Sequence, residues 1–324
     1  MLRVRRFLTL TVFACTLGVA PSASATWDQF TTGSGSCSTI AAGDGTSPWC
    51  QALNPNSGTS NFELYWFDTH NNTWEDSGNA GQSESVSVAY DGTYNIPVWI
   101  ATSGLTNNVK YAQPKCSGTL CSDIDGSTVP TFTAATLGTS PCAQWLAGAG
   151  KLSYGGSDDT VFSIGCTSSD LDFLSGLSGS WSAFSPTGGG DSVSASQDGD
   201  QLWIATGTFD VYCETDGFDG DGNHGAWEKV DGNLGSTILR IAAGGATTQQ
   251  AWVIDTSHDL WAYNSPSGNY CYNSGAGSWT EIKNNTTANG NGLYGPNGIA
   301  SSVSVGYNGT VWVVDTSGNI WNWN

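Results

Sequence analysis

Basic residues are scarce in this chain: nine Lys and Arg stand against 28 Asp and Glu, for a formal charge of −19. Three of the nine, Arg3, Arg5 and Arg6, sit at the very start, ahead of an apolar run over 7–20 and the small triplet Ala23-Ser24-Ala25. That pattern is a secretory leader over 1–25, too short to be a convincing membrane span. Without the leader, six bases face 28 acids, the net charge is −22, and Arg240 is the only arginine. A surface this acidic repels phosphate backbones and anionic lipid, so no nucleic acid and no membrane insertion are expected. It also excludes sites that grip carboxylates or sulfates with several guanidiniums, the sialidase arrangement among them. Windows rich in Ala, Leu, Glu and Lys are missing, and with them long amphipathic helices. Histidine is nearly absent too: His70, His224 and His258 are all there is, with no G-x-S-x-G and no H-E-x-x-H. The expectation is a secreted protein without catalytic activity. Paired carboxylates for glycoside hydrolysis are available among the acids, but no pair is singled out.

What is present is glycine (43), tryptophan (15) and short runs of β-forming residues between Gly, Asn and Asp turns. These runs repeat. "SVSVGYNGTVWVVDTSGNIWNWN" (302–324) echoes "SVSVAYDGTYNIPVWIATSG" (85–104), "SVSASQDGDQLWIATGTFDVY" (192–212) and "ILRIAAGGATTQQAWVIDTSHDLWAYN" (238–264). Weaker copies are "CSTIAAGDGTSPWCQ" (37–51) and "KLSYGGSDDTVFSIGC" (151–166). Each unit reads as a strand, a hairpin turn, a strand with an aromatic, a second turn and an aromatic-rich strand. The second-strand aromatics are Trp49, Trp99, Phe162, Trp203, Trp252 and Trp312, spaced 41 to 63 residues apart. A fourth strand carries Trp74, Phe132, Trp181, Trp227 or Trp279. Four strands at a period near 50 residues is the signature of a β-propeller. Six second strands are followed by only five fourth strands, and Trp27 in "ATWDQF" matches Trp74 and Trp279. The fold expected is therefore all-β: a six-bladed β-propeller of four-stranded blades over 26–324, its ring closed by the N-terminal strand.

At Ser304 to Trp321, and at Ile241 to Tyr263 continuing to Trp279, the chain resembles the tectonin β-propeller family. The resemblance extends over nearly all of 26–324, is strongest in the last three blades and weakest in the third. It implies the propeller fold more firmly than any function, because the family holds secreted lectins as well as intracellular scaffolds. Some of those lectins recognise methylated sugars on bacterial or nematode surfaces.

Third-strand aromatics in "LYWFD" (64–68), "LWAYN" (260–264) and "IWNWN" (320–324) stand beside Asp and Asn. Trp66, Trp261, Tyr263, Trp321 and Trp323 thus read either as packing or as rings that stack on sugars while amides and carboxylates bind hydroxyls. The function expected is multivalent binding of neutral or methylated glycans on cell surfaces or polysaccharide. The alternatives are a protein-binding propeller scaffold and a polysaccharide-degrading enzyme.

In "DGFDGDGNHG" (216–225), Asp219, Asp221 and Asn223 have the alternating spacing of a calcium loop, with Asp216 nearby. His224 stands where such a loop needs glycine, and Val230 where it needs glutamate, so calcium competes here with an ordinary solvated turn. Beyond the leader the cysteines are Cys37, Cys50, Cys116, Cys121, Cys142, Cys166, Cys213 and Cys271, an even set that reads as disulfides in an exported chain. Pairing is open from the sequence. Short spacing favours Cys37–Cys50 and Cys116–Cys121, which leaves Cys142–Cys166 and Cys213–Cys271 as one solution.

Overall fold

The computed structural model describes residues 26–30, 36–53, 63–68, 72–76, 83–89, 98–102, 109–112, 133–134, 143–149, 160–165, 170–174, 181–183, 190–195, 202–206, 210–214, 227–230, 234–245, 250–264, 277–286 and 293–323. These residues form six four-stranded antiparallel sheets and one two-stranded ribbon, with no helix among them. Blade one comprises β2 (Cys37–Ala41), β3 (Trp49–Ala52), β4 (Leu64–Asp68) and β5 (Thr73–Asp76). Blade two holds β6 (Ser83–Val88), β7 (Val98–Thr102), β8 (Val109–Ala112) and β9 (Thr133–Ala134). Blade three holds β10 (Ala143–Ala149), β11 (Thr160–Gly165), β12 (Leu171–Leu174) and β13 (Trp181–Ala183). Blade four holds β14 (Ser192–Ala195), β15 (Leu202–Ala205), β16 (Val211–Glu214) and β17 (Trp227–Lys229). Blade five holds β18 (Ile238–Gly244), β19 (Gln250–Asp255), β20 (Leu260–Asn264) and β21 (Ser278–Glu281). Blade six takes β24 (Ala300–Val305), β25 (Val311–Asp315) and β26 (Ile320–Trp323) from one end of the chain and β1 (Trp27–Phe30) from the other.

The ring thus closes as the strand arithmetic requires. β1 runs antiparallel to β26 and pairs Trp27 with Trp323 and Phe30 with Ile320. The pairing gives β26 a hydrogen-bonded neighbour on its outer side, so the apolar strand is not left as a bare edge. The ribbon, β22 (Asn285–Thr286) with β23 (Leu293–Tyr294), lies between blades five and six, and Asn285 Nδ2 donates to the Trp27 carbonyl at 3.0 Å.

In blades one, four and six burial is greatest at the second strand. β3, β15 and β25 are buried throughout, because neighbouring blades cover both of their faces. Their sequences accordingly read as mostly apolar runs rather than alternating ones, with Gln51 and Asp315 the buried polar members. The outermost strands β5 and β21 are half-buried at best and alternate polar residues with one tryptophan.

One expectation needs correction. The weak repeat copy at 151–166 suggests that blade three begins near residue 151, but its first strand is β10, Ala143–Ala149. The segment "AQWLAGA" lacks the β-branched residues that mark a strand in sequence. Small residues suit it because it lines the crowded centre of the ring.

Candidate functional site

The six innermost strands surround an axial channel, and their sequences fall into two alternating classes. Blades two, four and six present Ser85-Val86-Ser87, Ser192-Val193-Ser194 and Ser302-Val303-Ser304. Blades one, three and five present Thr39-Ile40-Ala41, Trp145-Leu146-Ala147 and Arg240-Ile241-Ala242 at the same level. Serine hydroxyls of one class accept backbone N–H groups from the other. Ile40 N and Ala42 N donate to Ser302 and Ser304 Oγ at 3.3 and 2.9 Å. Leu146 N and Gly148 N donate to Ser85 and Ser87 at 3.4 and 2.8 Å, and Ile241 N and Ala243 N to Ser192 and Ser194 at 3.2 and 2.8 Å. The inner edge of a blade is a strand edge whose N–H groups need acceptors, and the S-V-S motif supplies them. The ring is therefore three copies of a two-blade unit. The cavity on its axis is about 70 Å³, room for a few water molecules and small beside the several hundred Å³ of a typical ligand pocket.

The seams between blades hold the aromatics, and the register shows why so many are present. Trp27, Trp74, Trp181, Trp227 and Trp279 pair with Trp323, Phe67, Leu174, Glu214 and Tyr263, all at one position of the third strand. At the seam of blades five and six, Trp27 lies 4.8 Å from Trp323 and 6.3 Å from Trp252, ring centre to ring centre. At the seam of blades four and five, Tyr263 lies 6.0 Å from Trp203 and 5.2 Å from Trp279. Between blades six and one, Phe30 meets Trp312 at 5.3 Å and Phe67 at 4.6 Å, and Phe67 meets Trp74 at 5.5 Å. Each cluster joins the second-strand aromatic of one blade to the outer rings of the next. These tilted and edge-on contacts fill the wedge that widens toward the rim.

The third-strand residues expected to stack on sugars divide in this frame. Trp66, Tyr263 and Trp321 are only 4, 5 and 6 % exposed, with their rings against protein. Trp261 and Trp323 are half-buried. Trp261 and Trp321 occupy matching places opposite Val253 and Val313, whereas Trp66 lies opposite Trp49, on the other face of its blade. Tyr65 holds the place in blade one that Trp261 and Trp321 hold in theirs. Both matched indoles are also engaged: Trp261 Nε1 donates to Asp255 Oδ2 at 3.1 Å, and Trp321 Nε1 to Asp315 Oδ2 at 3.0 Å. The other Asp315 oxygen accepts Ser317 N at 2.8 Å and Asn319 N at 3.0 Å, so one buried carboxylate ties the D-T-S-G-N turn to the tryptophan after it. Blade five repeats this with Ser257 N and Asp259 N on Asp255. At Gly318 the turn takes φ 86°, and a Cβ there would meet the Ser36 Cβ at 2.4 Å. His258 holds that place in blade five at φ 65°, with Nδ1 2.6 Å from the Ala300 carbonyl, which makes Nδ1 the protonated nitrogen.

The outer-strand tryptophans other than Trp27 are likewise only partly covered. Trp74, Trp181, Trp227 and Trp279 are half-buried at equivalent places around the rim. The exposed Thr73, Ser182, Lys229, Ser278 and Thr280 stand on the same strands. The repeat assigns these rings to the fourth strand, but the sequence does not show that Trp27, at the same register position of blade six, is buried.

Cys37 and Cys50 are joined, with Cα atoms 5.8 Å apart, across the first hairpin. Cys213 is disulfide-bonded, with a partner outside the described residues. Cys116, Cys121, Cys142, Cys166 and Cys271 lie outside them too, as do Asp216, Asp219, Asp221 and Asn223 of the acidic loop, Phe132, and residues 1–25, the expected leader. Among the described residues no group of His, Cys, Asp and Glu is placed to hold a metal ion.

No family model matches the chain, and no curated protein matches it. Among solved structures, a chain in the crystal structure of a mitotic checkpoint complex is similar over 99 % of this chain and 99 % of its own, at 8 % identity and a TM-score of 0.52. YCF48 from Cyanidioschyzon merolae is similar over 88 % of this chain and 81 % of its own, at 10 % identity and a TM-score of 0.48. The first of these, at a TM-score of 0.52, supports a propeller repeat fold in general and nothing finer. The finer likeness to tectonin repeats rests on the sequence motifs alone.

Proposed function

We propose that this chain is an exported recognition propeller that binds neutral glycans without transforming them, at grooves between blades on its rim. The observation that carries the reading is the recurrence of a partly exposed indole at one register position in Trp74, Trp181, Trp227 and Trp279. An indole face suits the C–H face of a pyranose, and a methyl group on the sugar adds apolar contact without demanding a hydrogen bond. Each ring lies on the outermost strand of its blade, whose free edge offers backbone N–H and C=O groups to hydroxyls. The same edges favour a glycan over an added peptide strand, because they are only three or four residues long. The negative charge of the chain repels uronic and sulfated ligands. Equivalent grooves, each weak, would act together on a surface that displays many sugars. The half-buried Trp261 and Trp323 border the same seams, while Trp66, Tyr263 and Trp321 serve the packing beneath. Calcium at Asp216, Asp219, Asp221 and Asn223 belongs to the same proposal and is tested by metal analysis of protein purified without chelator.

A glycan array probed with the purified chain and with the Trp279→Ala and Trp181→Ala variants tests the reading. Binding to neutral or methylated glycans, weakened in both variants with the fold retained, is expected. No binding by the parent, or undiminished binding by both variants, would overturn it. Capture of a protein partner by the parent, alongside a blank array, would favour the scaffold alternative.

A further inference from the structure

The axial channel has a chemistry of its own that the rim grooves do not use. Of the described residues that line it, Arg240 alone is charged, although the chain carries 28 acids. The only arginine beyond residue 6 is thus placed where no described carboxylate lines the wall. Its guanidinium lies over the ring of Trp145, 3.6 Å from the ring centre, and Nη1 donates to the Leu239 carbonyl at 2.7 Å. The two ion pairs among the described residues are Lys229 with Asp210 and Lys283 with Glu281; neither involves Arg240. A guanidinium has five N–H donors in a fixed plane, so most of its edge remains free to meet an acceptor. Burial lowers its pKa from the usual range to about 10, which leaves it charged at neutral pH. At the same level of the channel Ser192 and Ser302, and one step along Ser87, Ser194 and Ser304, accept backbone N–H groups. Each such hydroxyl retains an O–H to donate.

We infer that the channel beside Arg240 is a binding site for a small monovalent inorganic anion, such as a halide. The guanidinium edge and the serine O–H groups supply donors, and Trp145 backs the cation. A cavity of about 70 Å³ admits such an ion with a few waters and excludes a sugar ring or a carboxylate on a bulky chain. A partly buried cation with no counter-charge among the described lining residues is costly, and an anion that binds only the closed ring stabilises it by mass action. This site is independent of the glycan reading and does not stand or fall with it.

The experiment follows melting temperature as sodium chloride replaces sodium gluconate at constant ionic strength, for the parent and for Arg240→Gln. A saturable rise in the parent that is absent from the variant is expected. Crystals of the parent soaked in sodium bromide should show anomalous density within hydrogen-bond reach of Arg240, a readout that remains valid if the variant does not fold. No difference between chloride and gluconate in the parent, an equal saturable rise in Arg240→Gln, or bromide only outside the channel would overturn the inference.

Discussion

Replacing Trp27 with alanine removes the anchor of the closing strand. Trp27 is 1 % exposed and touches the rings of Trp323 and Trp252, so its loss strikes the last strand and the preceding blade together. A buried tryptophan withdraws about 150–250 Å² from water, which at about 25 cal/mol per Å² is about 4–6 kcal/mol. Alanine recovers part of that area, and large-to-small changes of this kind cost about 3–5 kcal/mol. The strap over the strand is disturbed as well, because Gly295 approaches so closely that a Cβ on it would lie 2.7 Å from Trp27 Cδ1. Against a total stability of about 5–15 kcal/mol the loss is severe. At about 2 °C per kcal/mol for a domain of this size, the melting temperature should fall by about 6–10 °C. Differential scanning calorimetry of the variant beside Trp74→Ala provides the assay, since Trp74 holds the same position in blade one but is only half-buried. Trp27→Ala should be the more damaging of the two. A melting temperature equal to the parent's, or a larger drop for Trp74→Ala, would refute closure of the ring through this contact.

Asp315→Ala should cost about 3 kcal/mol or more, because it strips a buried carboxylate acceptor from the buried Trp321 Nε1 and from three partly buried N–H donors. Chemical denaturation checks this beside Thr316→Ala at the exposed neighbour, and equal losses would count against the turn-to-tryptophan tie. At high pH, Tyr65 and Arg240 act in opposite directions. Burial, together with Glu63, raises the Tyr65 phenol to about 12, so the folded chain keeps a proton that the unfolded chain releases near pH 10, and stability falls between about pH 10 and 12. Burial lowers Arg240 to about 10, so its contribution rises with pH above that value. Tyr65→Phe should therefore lose less stability than the parent between about pH 10 and 12. Melting temperatures measured across that range provide the test, and parallel curves would contradict it.

Ring closure is legible in the sequence because Trp27 copies the setting of Trp74 and Trp279, and a strand with a matching ring must pair where its counterparts do. Five of the six inner strands are legible for a similar reason: "SVSV", "SVSA", "CSTIA" and "ILRIAAG" alternate or run apolar up to a Gly or Asp turn. "AQWLAGA" does not, since its residues answer to the narrow centre of the ring rather than to strand propensity. The alternation of inner strands with and without the S-V-S motif is visible in the letters. Its meaning is not, because each hydroxyl serves an N–H some 49 to 262 residues distant. The site is less legible than the fold. The repeat separates third-strand Trp261 and Trp321 from fourth-strand Trp279, but it does not show that a carboxylate six residues back holds the first two, or that Trp321 is buried while Trp261 is only partly so. Burial in a propeller depends on the distance of a strand from the axis, and that distance is a property of the closed ring.

The central claim is that the repeated rim grooves are equivalent binding sites, and counting them is its most direct test. Native mass spectrometry of the chain, titrated with the neutral oligosaccharide that gives the strongest array signal, reads the number bound to each molecule. The account predicts successive additions of several ligands to one chain, with one addition lost in Trp279→Ala. A single saturating addition, or a full count in that variant, would contradict it.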